Sequence, residues 1–510
     1  MLTISPPSRP TRRQLLKGMA AFSATVLASG CNKALTMSAS AASPQAATNT
    51  NAQSAPTGPV TQALLSVLNT KSGAIGSGFA GLSYEKSAMC EPLFTASNPD
   101  LIGLFQLLGP SVLRVGGNSV DQCVWTPEGA GQTSRQIAPS DVDALAAFLK
   151  QSGWQCIYGI NLGGAATGAT TPALAAAEVA YVAQKFGASL LGIEIGNECD
   201  GYGAVGSYFA GNWSLAQFES LWEEFRSAIV AAVPGVSVTG PASGSNVSTW
   251  TVPFGQSITG SNLSLLTQHY YRGDGNSASS TIANLISADS KLVNCLSLLN
   301  SGGQSIGVPF RIGECNSYFD GGAVGVSDAY ASALWVIDFL FNCAQGGAAG
   351  VNLHGGGNAN GYTPIADNNG AVVEARPIFY GMTLFTLAGQ GTVYQTNLTA
   401  GGTNATAYAV KNSNGDINLV VVNKDATQNL QLTITMPQSV SAASLVSMTQ
   451  LSPDASGPNF SATSGVTIQD ATINANGSFA PSTAYDLDVN GSQIDCYVPA
   501  MSAVLIKTSR

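Results

Sequence analysis

The sequence predicts an α/β fold, a (β/α)8 TIM barrel followed by a β-sandwich, and three observations carry that prediction. Between residues 75 and about 390, eight strand-like runs alternate with eight helix-like runs, which is the count of such a barrel. Two of the strand-like runs are continuous and apolar, as buried parallel strands are, and both stop on a carboxylate. They are residues 190–198 (LLGIEIGNE) and 308–314 (VPFRIGE). After residue 390 the helical pattern ends and short β-branched runs follow one another.

Residues 1–41 read as a twin-arginine export signal. Arg12-Arg13 and Leu15-Leu16-Lys17 precede an apolar run from Gly18 to Ala28 that is too short to span a bilayer. Ala39-Ser40-Ala41 suits cleavage, and the expected location is the periplasm or the medium. Ala28-Ser29-Gly30-Cys31 is the alternative, a lipid-attachment motif on Cys31 and the one expected route to a membrane. Residues 42–58, rich in Ala, Ser, Thr, Pro and Gln, read as a disordered tether. Residues 59–74 are strand-like and could complete the later sandwich.

The barrel is expected over 75–390. Its strands are expected at 75–84, 111–117, 154–162, 190–197, 236–242, 263–271, 309–314 and 348–354. Helices are expected at 96–108, 140–152, 172–187, 214–232, 246–257, 278–300, 325–345 and 376–389. The fourth helix is the best marked: Ser214 and Gln217 form a capping box, Leu221, Phe225 and Ile229 recur at helical spacing, and Pro234-Gly235 stops it. A doubly wound open sheet would show a Gly-rich phosphate loop after its first strand, and none follows residues 78–85 (GFAGLSYE). The sandwich is expected over 391–510, where Asn414-Gly415 between two apolar runs marks a hairpin.

Charge and cysteine content exclude several functions. Five of the 20 basic residues (Arg9, Arg12, Arg13, Lys17, Lys33) and none of the 29 acidic ones fall in residues 1–41, so the remainder carries a formal charge of −14. Such a surface repels nucleic acid and long polyanions. Nine cysteines lack metal-knuckle spacing and only His269 and His354 occur, so neither a metal site nor a cofactor is expected. Cys199 and Cys315 adjoin the two glutamates, but strand alternation turns them to the opposite face, into the core. The sequence leaves the oligomeric state open.

In a TIM barrel the chemistry sits at the C-terminal ends of the strands. Those ends here carry Glu85 (strand 1), Arg114 with Asn118 and Asp121 (strand 2), Asn197-Glu198 (strand 4), His269-Tyr270-Tyr271 (strand 6) and Glu314 (strand 7). Two carboxyl groups facing each other across a narrow mouth are the requirement for glycoside hydrolysis with retention, one attacking the anomeric carbon and one protonating the leaving oxygen. A glutamate ending a strand is by itself more often a solvated or ion-paired residue. Two of them beside Asn197 and a tyrosine favour the catalytic pair.

Gly-Asn-Glu on strand 4, Gly-Glu on strand 7, residues 268–271 (QHYY), residues 113–118 (LRVGGN) and residues 311–317 (RIGECNS) resemble the retaining enzymes of glycoside hydrolase family 79. That family contains β-glucuronidases and heparanase, and the resemblance covers everything after residue 60. It implies a terminal β-linked glucuronic acid as substrate, Glu198 as general acid/base and Glu314 as nucleophile. It also implies Asn197 on the sugar 2-hydroxyl, Tyr270 hydrogen-bonded to the nucleophile, Arg114 holding Glu314 ionised, and Glu85 and Asn118 on sugar hydroxyls. His269 supports the mouth, by a structural hydrogen bond or by touching substrate. The uronate carboxylate would meet Tyr318 and the Gly361-Tyr362 pair. One departure stands out: the family's loop tyrosine lies five residues after the nucleophile, whereas here Tyr318 lies at four and Phe319 at five. A neutral-sugar β-glycosidase and a non-catalytic carbohydrate-binding barrel are the alternative readings.

Overall fold

The computed structural model describes residues 51–211, 213–258, 262–452 and 457–510. The expected export signal, Cys31 and residues 42–50 of the expected tether lie outside the described residues. Among the described residues no helix is long and apolar enough to cross a membrane.

Eight strands close into a barrel: Ala80–Glu85, Val112–Gly116, Gln155–Ile160, Leu190–Ile195, Val238–Ser243, Leu263–Asp274, Phe310–Phe319 and Val351–Gly355, called strands 1 to 8 below. Every neighbouring pair is parallel and strand 8 returns to strand 1. These strands are buried along nearly their whole length, which is why they read as unbroken apolar runs rather than alternating ones. Strands 6 and 7 run on past the rim, with Tyr318 paired to Gly273 and Phe319 to Asp274. A register shift between Ile312 and Glu314 lets strand 7 place Glu314 opposite His269.

The helices start where polar side chains satisfy their first N–H groups. Asn98 caps Pro99–Leu107, Thr171 caps Pro172–Phe186 and Ser214 caps Leu215–Ala232. Two expected helices differ. Residues 246–257 form a π-helical turn, Val247–Thr251, running into Val252–Ser257. The helix expected over 278–300 is two, Ile282–Leu285 and Ser290–Ile306. They are separated by Asp289, whose carboxylate accepts the Leu292 N–H at 3.1 Å.

The second body is one eleven-stranded sheet that curls around its own core of Leu65, Leu419, Val421, Leu432, Leu445, Ile494 and Val504. Its central strand, Val60–Ile75, precedes the barrel in sequence. It pairs antiparallel with Gly391–Thr399 and parallel with Asn429–Thr435. Residues 51–58 correct the expectation of a disordered tether. Gln53 exchanges two hydrogen bonds with the Tyr497 backbone, both 2.8 Å, and the Asp486 N–H donates to the Asn51 carbonyl at 3.1 Å.

The helix Tyr330–Gln345 locks barrel to sandwich. Tyr330 Oη donates to the Met501 carbonyl at 2.8 Å, Phe341 stacks on Tyr408 at 4.3 Å, and Asp338 pairs with Lys424 and accepts from Tyr408 Oη at 2.9 Å. All eight cysteines among the described residues are free thiols and buried, Cys199 and Cys315 included.

Candidate active site

The C-terminal ends of the strands surround a cavity of about 1040 Å³, lined by Glu85, Asn118, Asn197, Glu198, His269, Tyr271, Glu314, Phe319, His354 and Tyr362, among others. At its centre, one oxygen each from Glu198 and Glu314 and a ring nitrogen of His269 lie within 4.8 Å of one another.

Glu198 follows strand 4 in a left-handed conformation, φ 46° and ψ 44°, which a side-chain-bearing residue adopts only when its surroundings impose it. The imposition comes from strand 5, where the Ala242 carbonyl takes the Glu198 N–H at 2.8 Å. The turn aims the carboxylate into the cavity, where it remains 39% exposed. His269 Nδ1 lies 2.9 Å from its Oε1.

Glu314 has the opposite environment, at 7% exposure within strand 7. Arg114 Nη1 donates to its Oε2 at 2.7 Å and Tyr271 Oη to its Oε1 at 2.8 Å. Burial pushes the carboxyl pKa up, but the charges of His354, His269 and Arg114 and the Tyr271 hydrogen bond overcome it, leaving Glu314 well below the carboxylate range. Arg114 is fully buried and divides its guanidinium among strands: Nε to Glu194 Oε2 at 2.5 Å, Nη2 to Asn197 Oδ1 at 2.8 Å, and Nη1 to Glu314. Asn197 in turn donates to Asn118 Oδ1 at 3.1 Å.

Glu85 accepts the backbone N–H groups of Asn118 and Ser119 at 3.2 and 2.7 Å. That arrangement requires a glycine beside it: Gly117 has φ 67°, and a Cβ there would lie 2.5 Å from the Glu85 carboxyl carbon. Burial raises the Glu85 pKa, but His354 and Ser119 outweigh it, so this carboxyl too is held ionised.

Several expected residues take other places. Tyr270 does not reach Glu314: it lines the cavity, but its hydroxyl donates to Asp289 Oδ2 at 2.7 Å. Tyr271 makes that bond instead. Tyr318 is 1% exposed and points its hydroxyl at Asn284 Oδ1, 3.1 Å away, outside the cavity, so it is in no position to meet a sugar carboxylate. Phe319 faces the cavity in its place.

Gly361 is absent from the lining. A Cβ there would lie 1.9 Å from the Gly321 carbonyl, so its role is to let two loops touch. Tyr362 does line the cavity, its ring 6.0 Å from those of Tyr271 and His354. Asp121 reaches the cavity wall but spends its oxygens on the Leu162 and Gly163 N–H groups, each at 2.9 Å, and on Tyr202 Oη. Burial pushes its carboxyl up to about 6 despite those bonds.

Three residues escaped the sequence reading: Tyr271, Glu194 and His354. Period two was the available signal for Tyr271, because a strand that turns His269 inward also turns inward the residue two further on. Glu194 was visible as a lone carboxylate inside an apolar strand, which requires a buried cation.

A closed parallel barrel whose mouth holds two glutamates, one ionised and buried and one open to solvent, defines the class: a two-carboxylate TIM barrel with an accessory β-sandwich. The comparisons with known proteins point the same way. No family model matches the chain. It is 27% identical over 365 residues to a β-glucuronidase of Aspergillus niger, a match spanning 64% of this chain and 66% of that one. Its fold is that of a 4-O-α-L-rhamnosyl-β-D-glucuronidase from Fusarium oxysporum, at TM-score 0.72 and 17% identity over 87% of this chain and all of that one. The fold also matches a family 51 arabinofuranosidase from Xanthomonas axonopodis pv. citri, at TM-score 0.64 and 15% identity over 88% of this chain and all of that one.

Proposed function

We propose that this protein is a retaining β-glucuronidase that removes terminal β-linked glucuronic acid from glycosides or oligosaccharides by double displacement. The observation that carries the mechanism is the approach of one oxygen of Glu198 to one oxygen of Glu314, within 4.8 Å. Inverting enzymes separate their carboxyls by about 6.5 to 9.5 Å to admit a water, whereas retaining ones hold them about 5 to 5.5 Å apart. The similarity to the Aspergillus niger β-glucuronidase supports the choice of sugar.

Glu314, kept ionised, attacks the anomeric carbon. Glu198 protonates the leaving oxygen, then takes the proton of the water that hydrolyses the glycosyl-enzyme. Arg114 ties Glu314 to Asn197 and so fixes nucleophile and 2-hydroxyl contact in one frame. Glu85 and Asn118 face the sugar hydroxyls from strands 1 and 2, and Tyr362 stands on the side of strand 8. The twin-arginine reading places the mature protein in the periplasm or the medium, attached to a membrane only through lipid on Cys31.

A specific observation favours a second reading. With Tyr318 turned away and Phe319 on the wall, the cavity lacks the expected hydroxyl for a uronate, which suits a neutral sugar. A panel of nitrophenyl β-glycosides decides between them. Glucuronide turnover with the β-anomer as first product supports the proposal, glucoside or xyloside turnover the second reading, and no turnover a binding barrel. Glu314→Gln should abolish hydrolysis. Glu198→Ala should spare the first step on good leaving groups and regain turnover with azide.

A further inference from the structure

His354 enters the mouth from strand 8, and the proposed mechanism assigns it nothing. It is 5% exposed. Its Nδ1 lies 3.1 Å from Ser83 Oγ and 3.8 Å from Glu314 Oε2, and its Nε2 lies 3.6 Å from Glu85 Oε1. The imidazole therefore bridges the carboxylates of strands 1 and 7.

The charged and titratable groups facing it are Glu85 from strand 1, Arg114 from strand 2, Glu314 from strand 7 and Tyr362 from the segment after strand 8. Glu194 on strand 4 reaches it through Arg114, and Tyr271 and His269 on strand 6 act on it through Glu314. Glu194 and Glu314 thus divide the Arg114 guanidinium between them, and Glu85 faces the imidazole. With a neutral imidazole, the buried Glu314 would share one guanidinium with Glu194, and Glu85, whose side chain is 35% exposed, would lose its ion-pair partner.

We propose that His354 is a positioning residue that works as an imidazolium, holding Glu85 toward the bound sugar and standing with Arg114 as the second positive charge beside Glu314. Burial disfavours that charge, but Glu314 and Glu85 together outweigh burial and the repulsion of Arg114, so the imidazole pKa lies above its ordinary value. The role rests on the assignment of Glu314 as nucleophile and bears mainly on the second step. While Glu314 is bonded to the anomeric carbon it carries no charge. As water attacks that carbon and passes its proton to Glu198, the carbon–oxygen bond breaks and its electron pair returns to Glu314. The imidazolium stabilises the departing carboxylate without giving up its proton.

The chain has only two histidines, so 15N-histidine labelling of the full-length protein gives two imidazoles to follow by NMR, with His354→Gln assigning them. In the wild type, the His354 ring should remain protonated above pH 6.5. In Glu314→Gln, its midpoint should fall by about one pH unit or more. A wild-type His354 already neutral at pH 6, or a midpoint unmoved in Glu314→Gln, overturns the proposal. Neither measurement needs a substrate, so both stand even if the sugar is not a glucuronide.

On whichever aryl glycoside is turned over, His354→Gln should lower kcat about tenfold and move the alkaline limb of the pH profile. A purely structural loss would reduce the folded fraction and leave that limb in place, which counts against the role. If His354→Gln does not fold, the Glu314→Gln titration decides alone, with the rings then assigned through His269→Gln.

Discussion

Two adjacent tyrosines give the sharpest test of the site, because the family resemblance assigns the hydrogen bond on Glu314 to Tyr270 and the geometry assigns it to Tyr271. Tyr271→Phe removes the hydroxyl that donates to Glu314 Oε1 at 2.8 Å. The remaining contacts, Arg114 Nη1 and His354 Nδ1, both fall on Oε2 and leave Oε1 unanchored. A hydrogen bond to a charged group contributes about 1.5–3 kcal/mol, and an ångström of misplacement at a reacting atom costs about 100-fold. Loss of kcat/KM on an aryl β-glucuronide should therefore fall between about tenfold and 100-fold. The acidic limb of the pH profile should also move upward, since the bond helps to keep Glu314 ionised. Tyr270→Phe removes only a bond to Asp289, which keeps its ion pair with Arg272 at 3.2 Å and its cap on Leu292. That variant should lose about 1 kcal/mol of stability and little rate. Equal kinetic losses in the two variants, or an unimpaired Tyr271→Phe, would refute the assignment.

Three further outcomes follow from the same geometry. Arg114→Met strands Glu194 and Glu314 as buried anions and should destabilise the fold by about 3–5 kcal/mol; a thermal melt matching the wild type would show that Arg114 does not compensate them. Asp121 has a folded-state pKa of about 6 against an ordinary 3.8. The folded protein thus binds more protons than the unfolded chain across that window, and stability falls as pH rises through it, by about 3 kcal/mol at pH 7. Asp121→Asn should raise Tm at pH 7 and not at pH 4, and an equal change at both would remove the charge from the explanation. Phe319→Tyr puts a hydroxyl on the cavity wall and should lower KM for a glucuronide relative to a glucoside; an unchanged ratio would mean that position 319 does not meet the sugar carboxylate.

What the sequence disclosed followed what burial does to it. Barrel strands covered on both faces leave unbroken apolar runs, so all eight were legible, and Asn197, Glu198 and Glu314 stood out because polarity returns abruptly where strands meet the mouth. Features set by side-chain pairing left weaker traces. Asp289 divides two helices as an internal cap, yet an aspartate amid helical residues reads as solvated surface. Gly391–Thr399 leaves a weak trace because only Val393 and Tyr394 are buried in an otherwise polar run, and its partner Val60–Ile75 lies more than 300 residues away in the chain. Residues 51–58 have the composition of a tether, but backbone-directed hydrogen bonds from Asn51 and Gln53 dock them, and composition does not encode such bonds. Tyr318 shares the parity of Glu314, but beyond Asn316 the strand continues past the rim against Gly273 and Asp274. Period two there no longer maps onto the pocket.

The charges on the cavity wall bear on the size of the substrate. Of the described residues lining it, six are carboxylates (Glu85, Asp121, Glu198, Asp200, Glu314, Asp320), and Lys291 is the one lysine or arginine. Arg272, the basic residue nearest the mouth in sequence, is turned away to Asp289 and Asn284. Glu85 and Glu314 are matched within the wall by His354 and Arg114, whereas Asp200 accepts from the Gly244 and Ser245 N–H groups and from Asn246 Nδ2, and Asp320 is exposed. A polyanionic chain laid across the mouth would meet those two carboxylates with Lys291 as the one lysine or arginine among the described lining residues to offset them. A single uronate facing an otherwise neutral aglycone meets no such barrier. The electrostatics therefore argue for a small or neutral-backbone glycoside over sulfated or polyuronic chains.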